Sequence, residues 1–117
     1  FSAPFNNIGL VKAKLKDYKE AIRDFSKAIE LDPHFSAAFN NRGLVKAKLK
    51  DYKEAIRDFS KAIELDPEHG AAYVNRGLIK KELKQHKEAK KDFDQAIRID
   101  PLYSTAANYK ERVSRKT

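Results

Sequence analysis

The sequence predicts an all-α solenoid of three helix-turn-helix repeats followed by a C-terminal capping helix. The first observation is internal repetition: the segment 9–33 recurs letter for letter at 43–67 and in diverged form at 77–101, an offset of 34 residues each time. A fixed period in this range indicates one supersecondary unit stacked on copies of itself. The second is composition, because 36% charged residues with only four Gly and four Pro is typical of helices with solvated outer faces.

The length of 117 residues predicts a single domain, with repeats at about 2–35, 36–69 and 70–103 and the capping helix at about 104–117. Residues 1–33 and 35–67 differ at only two positions, Pro4 against Ala38 and Ile8 against Arg42. Such identity indicates either a very recent duplication or a chain assembled from one copied unit. The sequence leaves both open, so a designed or duplicated scaffold without an evolved ligand is an alternative to a natural adaptor.

The first helix of each unit is predicted from apolar spacing, and in the second unit it covers roughly 36–49. Ser36 is the predicted N-cap. Gly43 lies in the middle of this helix, where Gly costs about 1 kcal/mol relative to Ala, so we expect a close helix contact with Ala55 opposite. The other units predict the same contact for Gly9 with Ala21 and for Gly77 with Ala89.

The second helix of each unit follows a short turn. Asp51 and Glu54 resemble a capping box, which places the helix start there. Asp66 before Pro67 ends it, since the residue before a proline is pushed out of helical geometry. Between these signals lies the stripe expected of a helix with one buried face, formed by Ala55, Ile56, Phe59, Ala62 and Ile63. After the third repeat, residues 103–116 combine apolar and polar positions in the way a capping helix requires.

These motifs resemble the tetratricopeptide repeat (TPR) family, whose pattern is W-x2-L-G-x2-Y, then A-x3-F, then P. The resemblance covers about residues 2–103 and rests on the three glycines and on the sets Ala21…Phe25…Pro33, Ala55…Phe59…Pro67 and Ala89…Phe93…Pro101. Aromatic residues stand at the Trp position, namely Phe5, Phe39 and Tyr73. The sequence departs from the pattern with Arg42 and Arg76 at the Leu position and with Lys12, Lys46 and Lys80 at the Tyr position.

The resemblance implies antiparallel helix pairs in a right-handed superhelix, whose first helices line a concave groove that holds a peptide or another protein's helix. It therefore implies a non-catalytic function that needs no cofactor. It also implies a protein or peptide partner, and the lysines of the groove would favour an acidic one. Carried over position by position, the expected peptide-binding residues are Asn6, Asn7, Leu10, Lys14, Asn40, Asn41, Leu44, Lys48, Val74, Asn75, Leu78 and Lys81.

Asn7, Asn41 and Asn75 recur at the repeat period, and each side chain offers both a donor and an acceptor to a peptide backbone. The column resembles the asparagine ladder of the N-acetylglucosaminyltransferase that modifies cytosolic proteins. The alternative is that these amides bond neighbouring helices instead. Another subgroup of the family clamps the acidic C-termini of chaperones with Lys, Asn, Asn, Lys and Arg. In this sequence the five positions hold Asn6, Leu10, Asn41, Ala71 and Asn75. Only Asn41 matches, so this clamp is disfavoured.

Charge and residue types limit the rival functions. The net charge of +8 divides as +1, +1, +3 and +3 over residues 2–35, 36–69, 70–103 and 104–117, so an acidic partner would be steered towards the C-terminal half. The lysine-rich turns keep nucleic-acid binding as a disfavoured rival, because acidic residues dilute the field and few aromatics are left for stacking. An enzyme is also disfavoured, because His34, His69 and His86 lack a nearby Ser nucleophile or a second His.

Three further expectations concern the setting of the chain. The absence of Cys, of a signal peptide and of a long apolar run predicts a cytoplasmic protein without a membrane span. The chain opens at Phe1 without Met, so we expect a fragment or a processed product. Phe1, Phe5 and Ile8 lie at the open end of the first unit, which makes self-association through repeat stacking a further alternative.

Overall fold

The computed structural model describes residues 1–102, and the predicted capping helix at about 104–117 lies outside this range. The described part is all-α, and each predicted repeat is a pair of helices. The six helices are α1 (Ser2–Lys14), α2 (Tyr18–Leu31), α3 (Ser36–Lys48), α4 (Tyr52–Leu65), α5 (Gly70–Glu82) and α6 (His86–Ile99). The predicted bounds of the helices in the second unit are confirmed to within one residue.

Two predicted caps are wrong in their side-chain chemistry. Asp51 is the N-cap residue of α4, but its side chain makes no capping hydrogen bond, so the capping box with Glu54 does not form. Ser36 is the first residue of α3 rather than its N-cap, which is Phe35. The Ser36 hydroxyl instead donates to the backbone oxygen of Ala62 at 2.9 Å, across the pair of helices.

The turn inside each repeat is closed by a lysine in the left-handed backbone region, with φ of 62° at Lys16 and Lys50 and 61° at Lys84. At the end of α3 the N–H of Lys50 donates to Ala47 O at 2.9 Å, and that of Asp51 donates to Lys46 O at 2.9 Å. This pair of bonds is a Schellman motif, which satisfies carbonyls that the helix end leaves open. Glycine is the usual residue at this position, so each lysine carries backbone strain.

The glycines do mark close helix contacts. The expected partner Ala55 is confirmed for Gly43, because a Cβ there would lie 3.2 Å from the backbone oxygen of Ala55, but in every repeat the nearest group is a phenylalanine ring that the sequence analysis did not name. A Cβ on Gly43 would lie 2.7 Å from Cε1 of Phe59, and a Cβ on Gly9 would lie 2.6 Å from Cε1 of Phe25. Both phenylalanine rings are fully buried, so neither can move aside freely. The glycine of each first helix therefore forms the seat of an aromatic ring from the second helix, and Gly77 does the same for Phe93.

Stacking of the repeats gives the molecule an inner and an outer layer. Each second helix packs against the first helix of the next repeat, so α2 contacts α3 and α4 contacts α5. First helices also contact one another directly, α1 with α3 and α3 with α5, whereas among residues 1–102 no such contact joins α2 with α4 or α4 with α6. The layer of first helices is thus the tighter one, and the stack curves so that α1, α3 and α5 form its concave side.

Candidate peptide-binding groove

Two adjoining pockets lie along the first helices and make up the candidate groove. The first, of about 230 Å³, lies between α1 and α3 and is lined by Leu10, Ala13, Lys14, Tyr18, Leu44, Val45 and Lys48. The second, of about 650 Å³, lies between α3 and α5 and is lined by Leu44, Ala47, Lys48, Lys50, Tyr52, Phe59, Asn75, Leu78, Ile79, Lys81 and Glu82. Leu44 and Lys48 line both pockets, so the two form one continuous depression with an apolar floor.

Lysines stand at the edge of this groove. Lys14 and Lys48 are exposed, whereas Lys81 is half-buried and already engaged with other groups. Glu82 occupies in the third repeat the position that Lys14 and Lys48 hold in the first two, so the sign of the charge changes along the groove. The basic rim is therefore strongest beside α1 and α3.

The asparagines connect neighbouring repeats. Asn41 Nδ2 donates to Asn6 Oδ1 at 3.1 Å, and Asn75 Nδ2 donates to Asn40 Oδ1 at 3.0 Å. Asn7, on the first helix of the first repeat, is exposed. Within residues 1–102 neither Asn41 nor Asn75 makes a further side-chain hydrogen bond, so each keeps its carbonyl oxygen and one N–H. The amides thus form the helix-to-helix bonds of the alternative interpretation, and their peptide-binding role stays a prediction.

Three of the predicted site residues lie away from solvent. Asn6 and Asn40 are buried and serve as the acceptors for the asparagines of the following repeat. Val74 takes the equivalent place in the third repeat, is 9% exposed and packs with Phe93 in the core of the repeat. Asn6, Asn40 and Val74 therefore contribute to packing. The residues that the structure brings together along the groove are Leu10, Leu44, Leu78, Asn75 and the three lysines.

The sequence did not predict the polar clusters that join consecutive repeats. Arg42 Nε and Nη2 donate to the two carboxylate oxygens of Asp58, both at 2.9 Å, and Arg42 Nη1 donates to Ser26 Oγ of the preceding repeat at 3.1 Å. Lys46 Nζ lies 3.1 Å from the same carboxylate. Arg42 and Arg76, which depart from the family pattern, thus hold consecutive repeats together. The sequence signal that could have predicted these clusters is an Arg followed 16 residues later by an Asp, which recurs in the second and third repeats.

The third repeat has the same cluster. Arg76 pairs with Asp92 through bonds of 2.9 and 2.7 Å and donates to Ser60 Oγ at 3.2 Å. Burial lowers the pKa of Arg76, but the hydrogen bonds and the charge of Asp92 outweigh it and leave the pKa above its ordinary value. Lys80 also pairs with Asp92, at 3.2 Å. Because Lys46 and Lys80 are held in these pairs, they do not belong to an open basic edge for phosphates.

The fold brings a serine to a histidine, so the expectation that no histidine has a nearby serine is wrong. Ser36 Oγ lies 2.7 Å from His69 Nδ1. The single hydroxyl proton of Ser36 is donated to Ala62 O, so His69 Nδ1 must donate to the serine oxygen rather than accept from it. A serine nucleophile needs the opposite direction of proton transfer. Ser36 is therefore not arranged as a nucleophile. Its two hydrogen bonds connect α3 to α4 and to His69 at the start of α5.

The described residues hold neither a metal-type cluster nor a membrane span. No group of three or more His, Asp or Glu side chains in residues 1–102 is arranged to hold a metal ion. None of the helices α1 to α6 combines the length and the apolar character that a bilayer crossing needs.

Comparison with known proteins identifies solved structures with the same arrangement. The first TPR of Spaghetti (RPAP3) bound to the HSP90 peptide SRMEEVD is 27% identical, with a TM-score of 0.95 over 98% of this chain and 91% of that chain. The Arabidopsis OM64 TPR domain is 27% identical, with a TM-score of 0.96 over 99% and 96%. The second TPR domain of human RPAP3 in complex with the HSP70 peptide SGPTIEEVD is 26% identical, with a TM-score of 0.88 over 94% and 92%.

The family comparison covers almost the whole chain. No match was found among curated proteins. The family model "Tetratricopeptide repeat" matches residues 3–35, 36–69 and 70–103. These three segments coincide with the helix pairs described above, each with its glycine seat, its buried phenylalanine and its terminal proline. The chain therefore belongs to the tetratricopeptide repeat family.

Proposed function

We propose that this chain is a non-catalytic scaffold that binds a peptide or a protein segment in the groove along α1, α3 and α5. The observation that carries the proposal is the continuity of the two pockets through Leu44 and Lys48. An apolar floor beside a few convergent polar groups is the usual composition of a ligand site. The depression runs across repeats, which suits an extended chain better than a small molecule.

The ligand proposed is an acidic peptide with apolar side chains. Leu10 and Leu44 are 39% and 38% exposed and offer apolar contact, while Lys14 and Lys48 lie beside them. The peptides in two of the similar structures, SRMEEVD and SGPTIEEVD, are also acidic with apolar residues. This likeness supports the same ligand class for the groove of the present chain.

We do not propose that the groove clamps a terminal carboxylate. All five clamp positions hold residues without charge. Asn6 is buried and bonded to Asn41, and Leu10 lines the apolar floor. Asn75 stands at the arginine position and donates to Asn40. Recognition is therefore proposed to rest on internal acidic and apolar side chains, and amidation of the peptide C-terminus should change the affinity less than about twofold.

The proposal is tested by fluorescence anisotropy with a diverse set of labelled peptides that includes SRMEEVD in free-acid and amidated forms. Leu44→Gln should weaken binding by about five- to tenfold, because it removes the apolar contact shared by both pockets. The matched control is Leu49→Gln, on a residue of similar exposure that lines neither pocket. Equal losses in the two variants would contradict a groove site.

The lysine rim is tested with the same peptides. Lys48→Gln should weaken an acidic peptide by about two- to fivefold and a neutral one hardly at all, since an exposed ion pair contributes at most about 1 kcal/mol. Binding should persist at raised salt, because the apolar floor is not screened. If instead binding disappears with modest salt and single-stranded RNA competes for it, the lysine edge is the binding surface. If no peptide in the set binds, the duplicated scaffold without an evolved ligand is the better account.

A further inference from the structure

The lysines around the turn inside each repeat form one basic edge of the molecule. Several other basic side chains are held in ion pairs, such as Lys46 with Asp58. The lysines at the turns are exposed and have no acidic partner within residues 1–102. We call this set the turn edge, and it consists of Lys14, Lys16, Lys19, Lys48, Lys50, Lys53, Lys84 and Lys87. Only three exposed acidic residues lie among these lysines, namely Asp17, Asp51 and Glu82, so the edge stays basic.

The acidic side chains of the loops between repeats lie too far away to neutralise the turn edge. Asp32, Asp66 and Asp100 follow the second helices, and each accepts a hydrogen bond from a backbone N–H two residues later. The helices between these loops and the turns have 13 or 14 residues, which corresponds to about 20 Å. Salt screens exposed charges that are separated by more than about 8 Å at physiological ionic strength. The charge of the turn edge is therefore available to a ligand.

The groove opens onto this edge. Lys14 lines the pocket between α1 and α3, and Lys50 lines the pocket between α3 and α5. A third pocket, of about 410 Å³, is lined by Lys81, Glu82, Lys84 and His86. Lys81 and Glu82 also line the second pocket, so the groove continues past the end of α5 to Lys84. A ligand in the groove thus meets lysines of the turn edge in all three repeats.

The stacking of the repeats fixes how far apart these lysines lie. The first helices α1, α3 and α5 contact one another in sequence, and packed helices are separated by about 8–10 Å. A peptide in the polyproline II conformation rises about 3.1 Å per residue and has three residues per turn. Every third side chain of such a peptide points to the same side and lies about 9 Å further on, which matches one repeat. In a β-strand, by contrast, side chains three residues apart point to opposite faces.

We propose that the turn edge binds the acidic side chains of the groove ligand, which carries an acidic residue at every third position in a polyproline II conformation. Because the turn edge borders the groove, this assignment rests on the proposed function of the groove. Each acidic side chain meets the lysines of one repeat, while apolar side chains between them contact the floor at Leu10, Leu44 and Leu78. This floor suits a peptide better than a single-stranded nucleic acid, whose bases stack on exposed aromatic rings.

The test compares two peptides of equal composition by NMR titration of the ¹⁵N-labelled full chain. The periodic peptide is acetyl-Glu-Pro-Leu-Glu-Pro-Leu-Glu-amide, and its isomer acetyl-Glu-Glu-Glu-Pro-Leu-Pro-Leu-amide carries the same charge in one block. The periodic peptide should bind at least about fivefold more tightly, because only its carboxylates reach all three repeats. Raised salt should remove this preference before it removes binding, since salt screens the lysines and not the apolar floor. Equal affinities at low salt would overturn the proposal.

Exposed residues of the third repeat test the edge with little risk to the fold. Glu82→Lys gives this repeat the lysine that Lys14 and Lys48 provide in the first two, so it should strengthen binding of the periodic peptide by about two- to fivefold. Lys84→Gln should weaken it by about the same factor. The control Lys61→Gln makes the same change of charge on α4, at a residue that lines none of the three groove pockets, and should leave the affinity unchanged. Equal losses in Lys61→Gln and Lys84→Gln would overturn the proposal, because the effect would follow net charge alone.

A double-mutant cycle tests the register of the ligand. Two further periodic peptides carry Gln in place of either the first or the last Glu. One of them should lose its sensitivity to Lys84→Gln and the other should keep it, since only one terminal carboxylate reaches Lys84. The peptide that loses its sensitivity also gives the direction of the ligand in the groove. A sensitivity to Lys84→Gln that neither peptide changes would overturn the proposal.

The variant Leu44→Gln separates a failure of this proposal from a failure of the groove. If Leu44→Gln weakens both isomers and their affinities are equal, the groove site stands and only the spacing of the acidic residues is wrong. If Leu44→Gln weakens neither isomer, the groove site fails and the register fails with it. Single-stranded RNA that displaces the periodic peptide, loses affinity in Lys84→Gln and keeps it in Leu44→Gln would assign the turn edge to nucleic acid and overturn the peptide as its occupant.

Discussion

The first and second repeats have almost the same sequence, yet they are held in place differently. Residues 1–33 and 35–67 differ only at Pro4 against Ala38 and at Ile8 against Arg42. In the second repeat the arginine fastens its own α4 and the preceding α2 together through Asp58 and Ser26. In the first repeat no arginine does so.

The comparison separates what a repeat contributes by itself from what its neighbour contributes. Val11 and Val45 occupy the same position in identical local sequence, but the first is 57% exposed and the second 3%. The difference arises because α3 packs on the α2 helix before it, whereas no preceding repeat of residues 1–102 packs on α1. Stability in such arrays is a sum of repeat and interface contributions. The variants below test that division.

The largest expected difference concerns the aspartates. Asp58→Asn should lower the free energy of unfolding by about 3 kcal/mol, because it leaves Arg42 and Lys46 without the buried carboxylate that both of them bind. Asp24→Asn should cost clearly less, since its remaining partner Lys12 is accessible to water. Urea unfolding of the two variants measures both losses. Equal losses would show that the arginine cluster contributes nothing to holding the repeats together.

The valines give the second contrast. Val45→Ala should cost about 2 kcal/mol, because the side chain is buried against Ala21 and Phe25 and its removal leaves a gap. Val11→Ala should change stability by less than about 0.5 kcal/mol. Thermal and urea denaturation of the pair provide the measurement. A comparable loss for Val11→Ala would mean that the outer face of α1 is covered in solution.

The glycines should differ more moderately. Gly43→Ala should cost about 1–2 kcal/mol, because overpacking against the Phe59 ring exceeds the gain in helix propensity. Gly9→Ala meets the Phe25 ring at a similar distance, but among residues 1–102 no repeat packs on the outer side of α1, which can therefore move away by a few tenths of an ångström. We therefore expect a smaller loss for Gly9→Ala in the same unfolding experiment. A larger loss would show that the position of α1 is as fixed as that of α3.

The smallest effect should not distinguish the repeats at all. Lys16→Gly and Lys50→Gly both relieve a left-handed backbone at φ 62°, so each should stabilise the protein by about 0.5 kcal/mol after the entropy cost of glycine. The turn bonds are the same in both repeats, which makes the effect local. Differential scanning calorimetry should show equal rises in Tm. Unequal rises would mean that the turns sense the neighbouring repeat.

Features set by local sequence could be predicted, and features set by contacts between repeats mostly could not. The ends of α3 and α4 followed from apolar spacing and from Asp66 before Pro67, which acts within a few residues. The predicted contact of Gly43 with Ala55 forms, but the closer contact with the Phe59 ring was missed, because helical spacing does not tell which side chain of the opposite helix fills the gap. The groove residues followed from the family resemblance, but the burial of Asn6 and Val74 depends on helices that lie far away in sequence.

The sequence by itself therefore determined the repeat, its two helices and the family, because period, apolar stripe and stop signals are all read along one chain. Only the tertiary structure decided that Arg42 joins Asp58 to Ser26, that Asn41 bonds Asn6, and that the serine beside His69 donates its proton elsewhere. These bonds link residues 16 to 35 positions apart, and their distances and directions are fixed by how the helices pack. The same packing made two nearly identical repeats different, because within residues 1–102 only the second of them has another repeat packed on the outer side of its first helix.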